Sequence, residues 1–199
     1  MNGLMLPAVA VALLDQGSDP LDLPHPAASS QSDWIRPLAE QLYTLVSNTT
    51  GSVAFIGDGH TYLLAGEPET VNDGIAAYVR LPGTGRATPH ALATTMAVLV
   101  LSGGLDLAVY RRQQDIDDGT PHYVRTYGPC SVFACHQGTL CLLQSAPNGI
   151  QVVVTRGRPP LAGRRAPLPL CEVQETARRA HTEIVKVLHS LTQAPVGGA

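Results

Sequence analysis

Four tight-turn signals, each set between apolar runs, constrain the fold of this chain more than any other feature. They are Asp58-Gly59, Asp118-Gly119, Gln137-Gly138 and Asn148-Gly149. Asx-Gly pairs readily adopt the positive φ angles of a type I′ turn, which matches the twist of two paired strands. The sequence therefore predicts a protein built largely from antiparallel hairpins.

The composition predicts one folded unit. The chain has 199 residues, of which 44% are hydrophobic and 15% are charged. A chain of this length can bury one sizeable core, and its hydrophobic content is too high for disorder. Residues 1–79 carry nine acids against one base, whereas residues 80–199 carry twelve bases against seven acids. This asymmetry indicates either two halves that face each other or two faces that meet different partners.

Several classes of protein are disfavoured by the sequence. The basic residues are interspersed with acids, and no aromatic-rich basic strand suggests binding to nucleic acid. The apolar run Leu4–Leu14 lacks a basic flank, and no other stretch approaches the length of a membrane span. Three of the four cysteines lie within twelve residues, which is untypical of a disulfide framework. We expect reduced thiols and a cytoplasmic location.

Periodicity predicts an α+β fold, in which an antiparallel sheet of hairpins and a meander packs against about three helices. We predict an apolar segment and linker over residues 1–32, a single domain over 33–192 and a flexible tail over 193–199. The apolar segment is expected to dock as a strand or short helix, or to meet a partner. The predicted helices are 34–47, 89–101 and 171–191, and the predicted strands are 53–56, 61–64, 75–81, 105–113, 123–127, 130–136, 139–144 and 150–155.

The segment from Pro89 to Leu101 is apolar on nearly every side. Thr88-Pro89 is typical of a helix start, so the segment is predicted as a buried helix, with a core strand over Val98–Leu101 as the alternative. The resulting order of helix, three strands, helix, strands and helix resembles that of small secretion chaperones. That resemblance implies a protein-binding role.

A catalytic cysteine is the alternative to a binding role. Cys130 follows Gly128-Pro129, and His60 flanks an exposed turn, so the pair is a candidate nucleophile and base for a cysteine hydrolase or acyltransferase. If Gln137-Gly138 closes a hairpin, Cys130, His136 and Cys141 share one face, but their spacing is too wide for a single zinc ion. We therefore predict no metal site and no cofactor.

The leading interpretation is a non-enzymatic interaction module, such as an adaptor, a chaperone-like protein or a regulatory subunit. It would act through the sheet face, the N-terminal segment or the last helix, and its partner would be another protein or a second copy of this chain. The basic segment after the last strand is either a recognition loop or a solvated connection. The predicted partner-binding residues are Leu4, Leu6, Val9, Leu13, Arg156, Arg158, Arg164, Arg165, Ile184, Leu188 and Leu191.

Overall fold

The computed structural model describes residues 4–15, 32–48, 52–65, 74–83, 85–156 and 167–193. The strands in these residues are β1 (Ala54–Gly57), β2 (His60–Leu64), β3 (Ile75–Pro82), β4 (His90–Ala91), β5 (Met96–Ser102), β6 (Leu105–Tyr110), β7 (Tyr123–Tyr127), β8 (Val132–Cys135), β9 (Leu140–Ser145) and β10 (Ile150–Arg156). The α-helices are α1 (Ala8–Asp15), α2 (Ile35–Ser47), α3 (Gln113–Asp117) and α4 (Leu170–Gln193).

The strands form two antiparallel sheets that pack face to face. The larger sheet has the order β1-β2-β3-β10-β5-β8, and the smaller has the order β4-β9-β6-β7. Alternate residues of β5, including Val98 and Val100, pack against Leu105 and Leu107 of β6. Because successive side chains of a strand point to opposite faces, the remaining residues of β5 form a second core on the other side of the larger sheet.

Helices cover that second face. Helix α2 packs against α4, and α4 contacts β1, β2 and β10. Helix α1 contacts β5, β8 and β10 and buries Ala10, Leu13 and Leu14. An ion pair between Asp15 and Arg156 joins the end of α1 to the end of β10. The described residues thus form three layers: helices, the six-stranded sheet and the four-stranded sheet.

The predicted helix over residues 89–101 is wrong. The segment contains β4 and β5, and the alternative strand over Val98–Leu101 is the one present. Both faces of β5 are buried, because Ala97 and Leu99 face the helices while Val98 and Val100 face the smaller sheet. The sequence of a strand that is buried on both faces does not alternate between apolar and polar residues. It is a continuous apolar run, which periodicity alone does not distinguish from a buried helix. The resemblance to small secretion chaperones is also wrong, because the element order on which it was based includes this helix.

The turn signals mark chain reversals, but only one of them closes a two-residue hairpin. At Asp58-Gly59, Gly57 of β1 pairs with His60 of β2. Gln137-Gly138 instead joins β8 of the larger sheet to β9 of the smaller, and Asn148-Gly149 joins β9 to β10. The predicted shared face for Cys130, His136 and Cys141 is therefore wrong, because β8 and β9 do not pair.

The α+β class holds in its coarse form, as antiparallel sheets combined with helices. The predicted domain limits are not tested by this arrangement and stay a prediction. None of the helices in the described residues has the length and apolar character needed to cross a bilayer.

Candidate functional site

An arginine lies between the two sheets. Arg80 belongs to β3, which runs between β2 and β10 inside the larger sheet. Its neighbours Val79 and Leu81 face the helices, so Arg80 faces the smaller sheet. The side chain is only 1% exposed. A charged side chain is almost never so fully buried without a partner of opposite charge.

Strand register places two more polar side chains beside this arginine. Tyr62 of β2 and Gln151 of β10 are the direct neighbours of Arg80 in the sheet. Both are buried, at 4% and 0% exposure. Residues opposite each other on adjacent strands project from the same face. Tyr62, Arg80 and Gln151 therefore form one polar row across three strands, which we call the inner row.

Only one nitrogen of the Arg80 guanidinium has hydrogen-bond partners. Nη2 donates to the backbone oxygen of Leu143 at 2.9 Å, and it lies 3.0 Å from Nε2 and 3.1 Å from Nδ1 of His60. Among the described residues, Nε and Nη1 have no partner with hydrogen-bond geometry. The Cζ atom lies 6.0 Å from the centre of the Tyr62 ring. Within the described part of the chain, two nitrogens of this buried cation thus lack a partner with hydrogen-bond geometry, although the Tyr62 side chain interacts with the guanidinium.

Gln151 extends this surplus of donors. Its Oε1 accepts a hydrogen bond of 2.8 Å from the Ser145 hydroxyl, whereas its Nε2 has no partner within the described part of the chain. A buried donor that loses water without gaining an acceptor costs about 1–3 kcal/mol. Arg80 and Gln151 of the inner row therefore both have N–H donors without a partner among the described residues. A hydrogen-bond acceptor placed beside them would remove this cost.

His60 holds the arginine in place as a neutral ring. Its Nδ1 lies 2.6 Å from the carbonyl oxygen of Asp58, so Nδ1 carries the proton and Nε2 is the acceptor. Nε2 then accepts from Arg80 and, at 3.4 Å, from the backbone N–H of Ser145. Burial first, and the positive charge of Arg80 second, lower the pKa of His60 to about 3. His60 consequently adds no positive charge to the site.

A small cavity adjoins Arg80. Its volume is about 10 Å³, which is close to the space that one water molecule requires. Asp58 lines this cavity, and its carboxylate lies 3.4 Å from Nε2 of His90. The Nδ1 atom of His90 lies 3.0 Å from the Thr88 carbonyl oxygen. The cavity is lined by Asp58, Tyr62, Arg80, Ala87, Thr88, His90, Leu92, Met96 and Leu143.

The structure does not bring Cys130 and His60 together. Cys130 packs against the core beneath the helices, and its backbone N–H donates to Val100 of β5. His60 lies on the opposite face of the sheet, and it contacts Arg80 and the backbone N–H of Ser145 in the smaller sheet. Burial also raises the pKa of the Cys130 thiol, which disfavours the thiolate that a nucleophile needs.

The predicted partner-binding residues occupy three kinds of position. Leu4, Leu13 and Ile184 are buried in the core beneath the helices, and Leu6, Val9, Leu188 and Leu191 pack partly buried against it. Arg156 is exposed and forms the ion pair with Asp15. Arg158, Arg164 and Arg165 lie outside the described residues. A partner-binding role for this set stays a prediction.

Sequence reasoning singled out His60 but missed Arg80, Gln151 and the Asp58–His90 pair. A signal for Arg80 is present, because it is the only charged residue in the apolar strand Ile75–Pro82. Gln151 is likewise a lone amide in a run of β-branched residues. A single polar residue at an inward position of a buried strand is the pattern that would have identified them.

Comparison with known proteins gives matches among solved structures alone. No protein-family profile and no curated protein matches the chain. KdgF from Halomonas sp. is 13% identical, with 54% of this chain and 88% of that chain covered and a TM-score of 0.39. An RmlC-like cupin from Shewanella frigidimarina is 17% identical, with 53% and 83% covered and a TM-score of 0.38.

A third match is Fe(II)-HppE, a structure with an alternative substrate. It is 9% identical, with 55% of this chain and 57% of that chain covered and a TM-score of 0.40. The prediction of a non-enzymatic adaptor or chaperone-like module is contradicted by these matches, which include an RmlC-like cupin and a protein solved with a substrate. The likeness covers 53–55% of this chain at TM-scores of 0.38–0.40, and no activity follows from it.

The iron in that third name belongs to that protein. In residues 4–15, 32–48, 52–65, 74–83, 85–156 and 167–193 of this chain, no group of three or more His, Cys, Asp or Glu side chains is placed to hold a metal ion. The donors of the inner row are N–H groups, which attract acceptors and repel cations. The N–H groups of Arg80 and Gln151 that lack partners among the described residues are donors, so they can pair only with a hydrogen-bond acceptor.

Proposed function

We propose that this protein binds a small negatively charged molecule between its two sheets, with Arg80 as the residue that recognises the charge. The observation that carries this proposal is a fully buried guanidinium, two nitrogens of which have no hydrogen-bond partner among the described residues. Moving an unpaired charge out of water is costly, and a bound anion would offset that cost. The ligand would supply a negative charge next to the buried guanidinium of Arg80.

The surroundings of Arg80 support an acceptor as the ligand. Nε and Nη1 of Arg80 and Nε2 of Gln151 offer N–H groups alone. Nε2 of the neutral His60 ring already accepts from Arg80 and Ser145, so it is not a further donor to a ligand. The nearby Asp58 carboxylate is engaged with His90, so it does not neutralise Arg80 by direct contact.

Thermal unfolding with a panel of sodium salts tests the proposal. The panel contains chloride, bromide, formate and acetate, with ionic strength held constant by sodium methanesulfonate. A ligand that binds only the folded state raises the melting temperature with its concentration. We expect at least one anion to do so in the natural protein, and we expect Arg80→Met to abolish that rise.

Arg125→Met is the matched control, because Arg125 is an exposed arginine of β7 outside the site. We expect it to keep the full response to the anion. Replacing a buried charge by an apolar side chain of similar volume is often tolerated, so Arg80→Met should fold. Gln151→Met provides a second variant, with a weakened response expected. No anion-specific rise in the natural protein, or an equal rise in Arg80→Met, would overturn the proposal.

We also propose a reducing, intracellular location. The four cysteines are free thiols in the structure, and two of them, Cys135 and Cys141, are buried between the sheets. Burial raises the pKa of Cys141 to about 12, so that thiol is kept protonated and unreactive. Mass spectrometry of the protein isolated from its natural source, with thiols blocked at lysis, would detect any disulfide that argues against this location.

A further inference from the structure

We infer that a cleft between α4 and the turn from β9 to β10 is a second binding site, which takes a small zwitterion of the α-amino acid class. The inference goes beyond the proposed function, because this cleft and the inner row are separate. Leu81 lines the cleft and faces the helices, whereas Arg80 faces the smaller sheet. The two sites therefore lie on opposite faces of the larger sheet.

The cleft has the size of a site for a small molecule. Its volume is about 280 Å³, just below the roughly 300–1,000 Å³ of pockets that bind drug-sized ligands. Part of its wall is apolar and consists of Leu81, Pro82 and Pro147. A free amino acid is smaller than a drug, so it suits this volume, and the apolar wall suits the side chain of such a ligand.

Helix α4 supplies charges of both signs to the same cleft. Arg179 and Glu183 both line it, and they are four residues apart, which places them on one face of the helix. Side chains of opposite charge at this spacing can pair across one helical turn. Within the described part of the chain, however, no ion pair joins Arg179 to Glu183. The cleft therefore has a separate cation and a separate anion in its wall.

Both side chains keep bonding capacity for a ligand. Nη2 of Arg179 donates to the carbonyl oxygen of Pro82 at 2.8 Å, and this acceptor carries no charge. Oε1 of Glu183 accepts from Nζ of Lys186 at 2.7 Å. Lys186 is 61% exposed, and an ion pair with such an exposed partner is weak. The other nitrogens of the Arg179 guanidinium and Oε2 of Glu183 have no hydrogen-bond partner among the described residues.

The neighbouring arginine is engaged elsewhere. Arg178 also lines the cleft, but its Nε and Nη2 both donate to the carboxylate of Glu175, at 2.7–3.0 Å. One edge of its guanidinium is therefore already used for a carboxylate. Arg179 is the arginine of the cleft that has no carboxylate partner within the described residues.

A ligand with a carboxylate and an ammonium group matches both free side chains. Its carboxylate would accept from Arg179, and its ammonium would donate to Glu183. In an α-amino acid one carbon carries both groups, so they are close enough to meet two side chains that are one helical turn apart. A ligand with only one of the two charges would leave either Arg179 or Glu183 without its partner.

Thermal unfolding with matched probes tests the inference. The probes are L-alanine, L-leucine and L-phenylalanine, each with two partners: the acid that lacks the amino group and the amine that lacks the carboxyl group. A ligand that binds only the folded state raises the melting temperature with its concentration. At equal ionic strength, we expect at least one amino acid to give a saturable rise that neither of its partners gives. An equal rise with either partner would overturn the zwitterion, and no rise with any amino acid would overturn the site.

Substitutions in α4 test the two charges. We expect Arg179→Gln and Glu183→Gln each to raise the dissociation constant of the amino acid by about tenfold or more, the loss typical of a charge-assisted hydrogen bond. Arg36→Gln is the matched control for the arginine, because Arg36 of α2 also donates to a backbone carbonyl, that of Leu191, at 2.8 Å. Glu40→Gln removes an exposed carboxylate from α2 and is the control for the glutamate. Unchanged affinity in Arg179→Gln or in Glu183→Gln would overturn the assignment.

The variant Arg80→Met separates this inference from the proposed function. We expect it to keep the full response to the amino acid, because Arg80 and the cleft lie on opposite faces of the larger sheet. A response that is lost in Arg80→Met and kept in Arg179→Gln would place the ligand at the inner row and overturn the second site. Failure of the amino acids to bind leaves the anion test at Arg80 unaffected.

Discussion

Arg80 shows how a charge can be held inside an apolar sandwich. Its side chain crosses from one sheet to the other and donates to Leu143, so it ties β3 to β9. Its second anchor is a neutral histidine, which accepts a hydrogen bond without supplying a counter-charge. His60 therefore does not neutralise the charge of Arg80, and the proposed anion would.

His60 makes stability depend on pH. Its pKa is about 3 in the folded protein, against about 6.5 for an exposed histidine of an unfolded chain. Below about pH 6.5 the unfolded chain takes up a proton at this residue and the folded protein does not. Stability is therefore lost as the pH falls from about 6.5 towards about 3, by roughly 1.4 kcal/mol per pH unit from this residue.

We expect His60→Gln to remove that contribution, since glutamine does not titrate. Urea unfolding between about pH 7 and pH 4 measures the slope of the unfolding free energy against pH. The matched variant is His189→Gln, which removes an exposed histidine from α4. An equally steep slope in His60→Gln and the natural protein would show that His60 is not buried as a neutral ring.

At the scale of elements, the β1–β2 turn and the segment after β3 form the wall of the cavity. Gly59 has φ of +74°, and a Cβ atom there would lie 2.6 Å from the backbone nitrogen of Ala87. The bare backbone of glycine is what lets residues 85–87 pack on the turn. That packing brings Ala87 and Thr88 to the cavity beside Arg80.

We expect Gly59→Ala to destabilise the protein by more than the roughly 1–2 kcal/mol that a left-handed backbone costs an alanine. Gly119→Ala is the matched control, because its φ is +66° and nothing lies within 4 Å of the added carbon. The difference between the two, measured by urea unfolding, isolates the clash with residues 85–87. If the two variants lose the same unfolding free energy, residues 85–87 move away from the added carbon at no measurable cost.

At the scale of the whole molecule, α1 closes the helical layer. It lies against β5, β8 and β10, and its Leu14 is buried in the core beneath the helices. Met5, by contrast, is 76% exposed just before the helix. The N-terminal segment therefore contributes to the packed core of the described structure.

We expect Leu14→Ala to lower the unfolding free energy by about 2–5 kcal/mol, through lost burial and the cavity that remains. Met5→Ala should change it by less than about 0.5 kcal/mol, as surface substitutions do. Urea unfolding of both variants checks the pair. Similar small losses in both would indicate that α1 docks only loosely on the sheet.

Local pattern was sufficient for several elements. The stripe of apolar residues predicted a helix over 34–47, and α2 spans Ile35–Ser47. The 3–4 spacing predicted a helix over 171–191, and α4 spans Leu170–Gln193. Asp58-Gly59 predicted the β1–β2 hairpin. These features depend on φ preferences and on side-chain periodicity, which are properties of a few neighbouring residues.

Tertiary structure decided the rest. A turn signal reverses the chain but does not choose its partner strand, so Gln137-Gly138 leads from one sheet to the other. The apolar sequence of β5 fits a buried helix as well as a buried strand. It is a strand because the helices cover one of its faces and the smaller sheet covers the other, and the local sequence does not specify those layers. The inner row exists because pairing of β2, β3 and β10 aligns Tyr62, Arg80 and Gln151. These residues are far apart in sequence, and only long-range register brings their donors to one place.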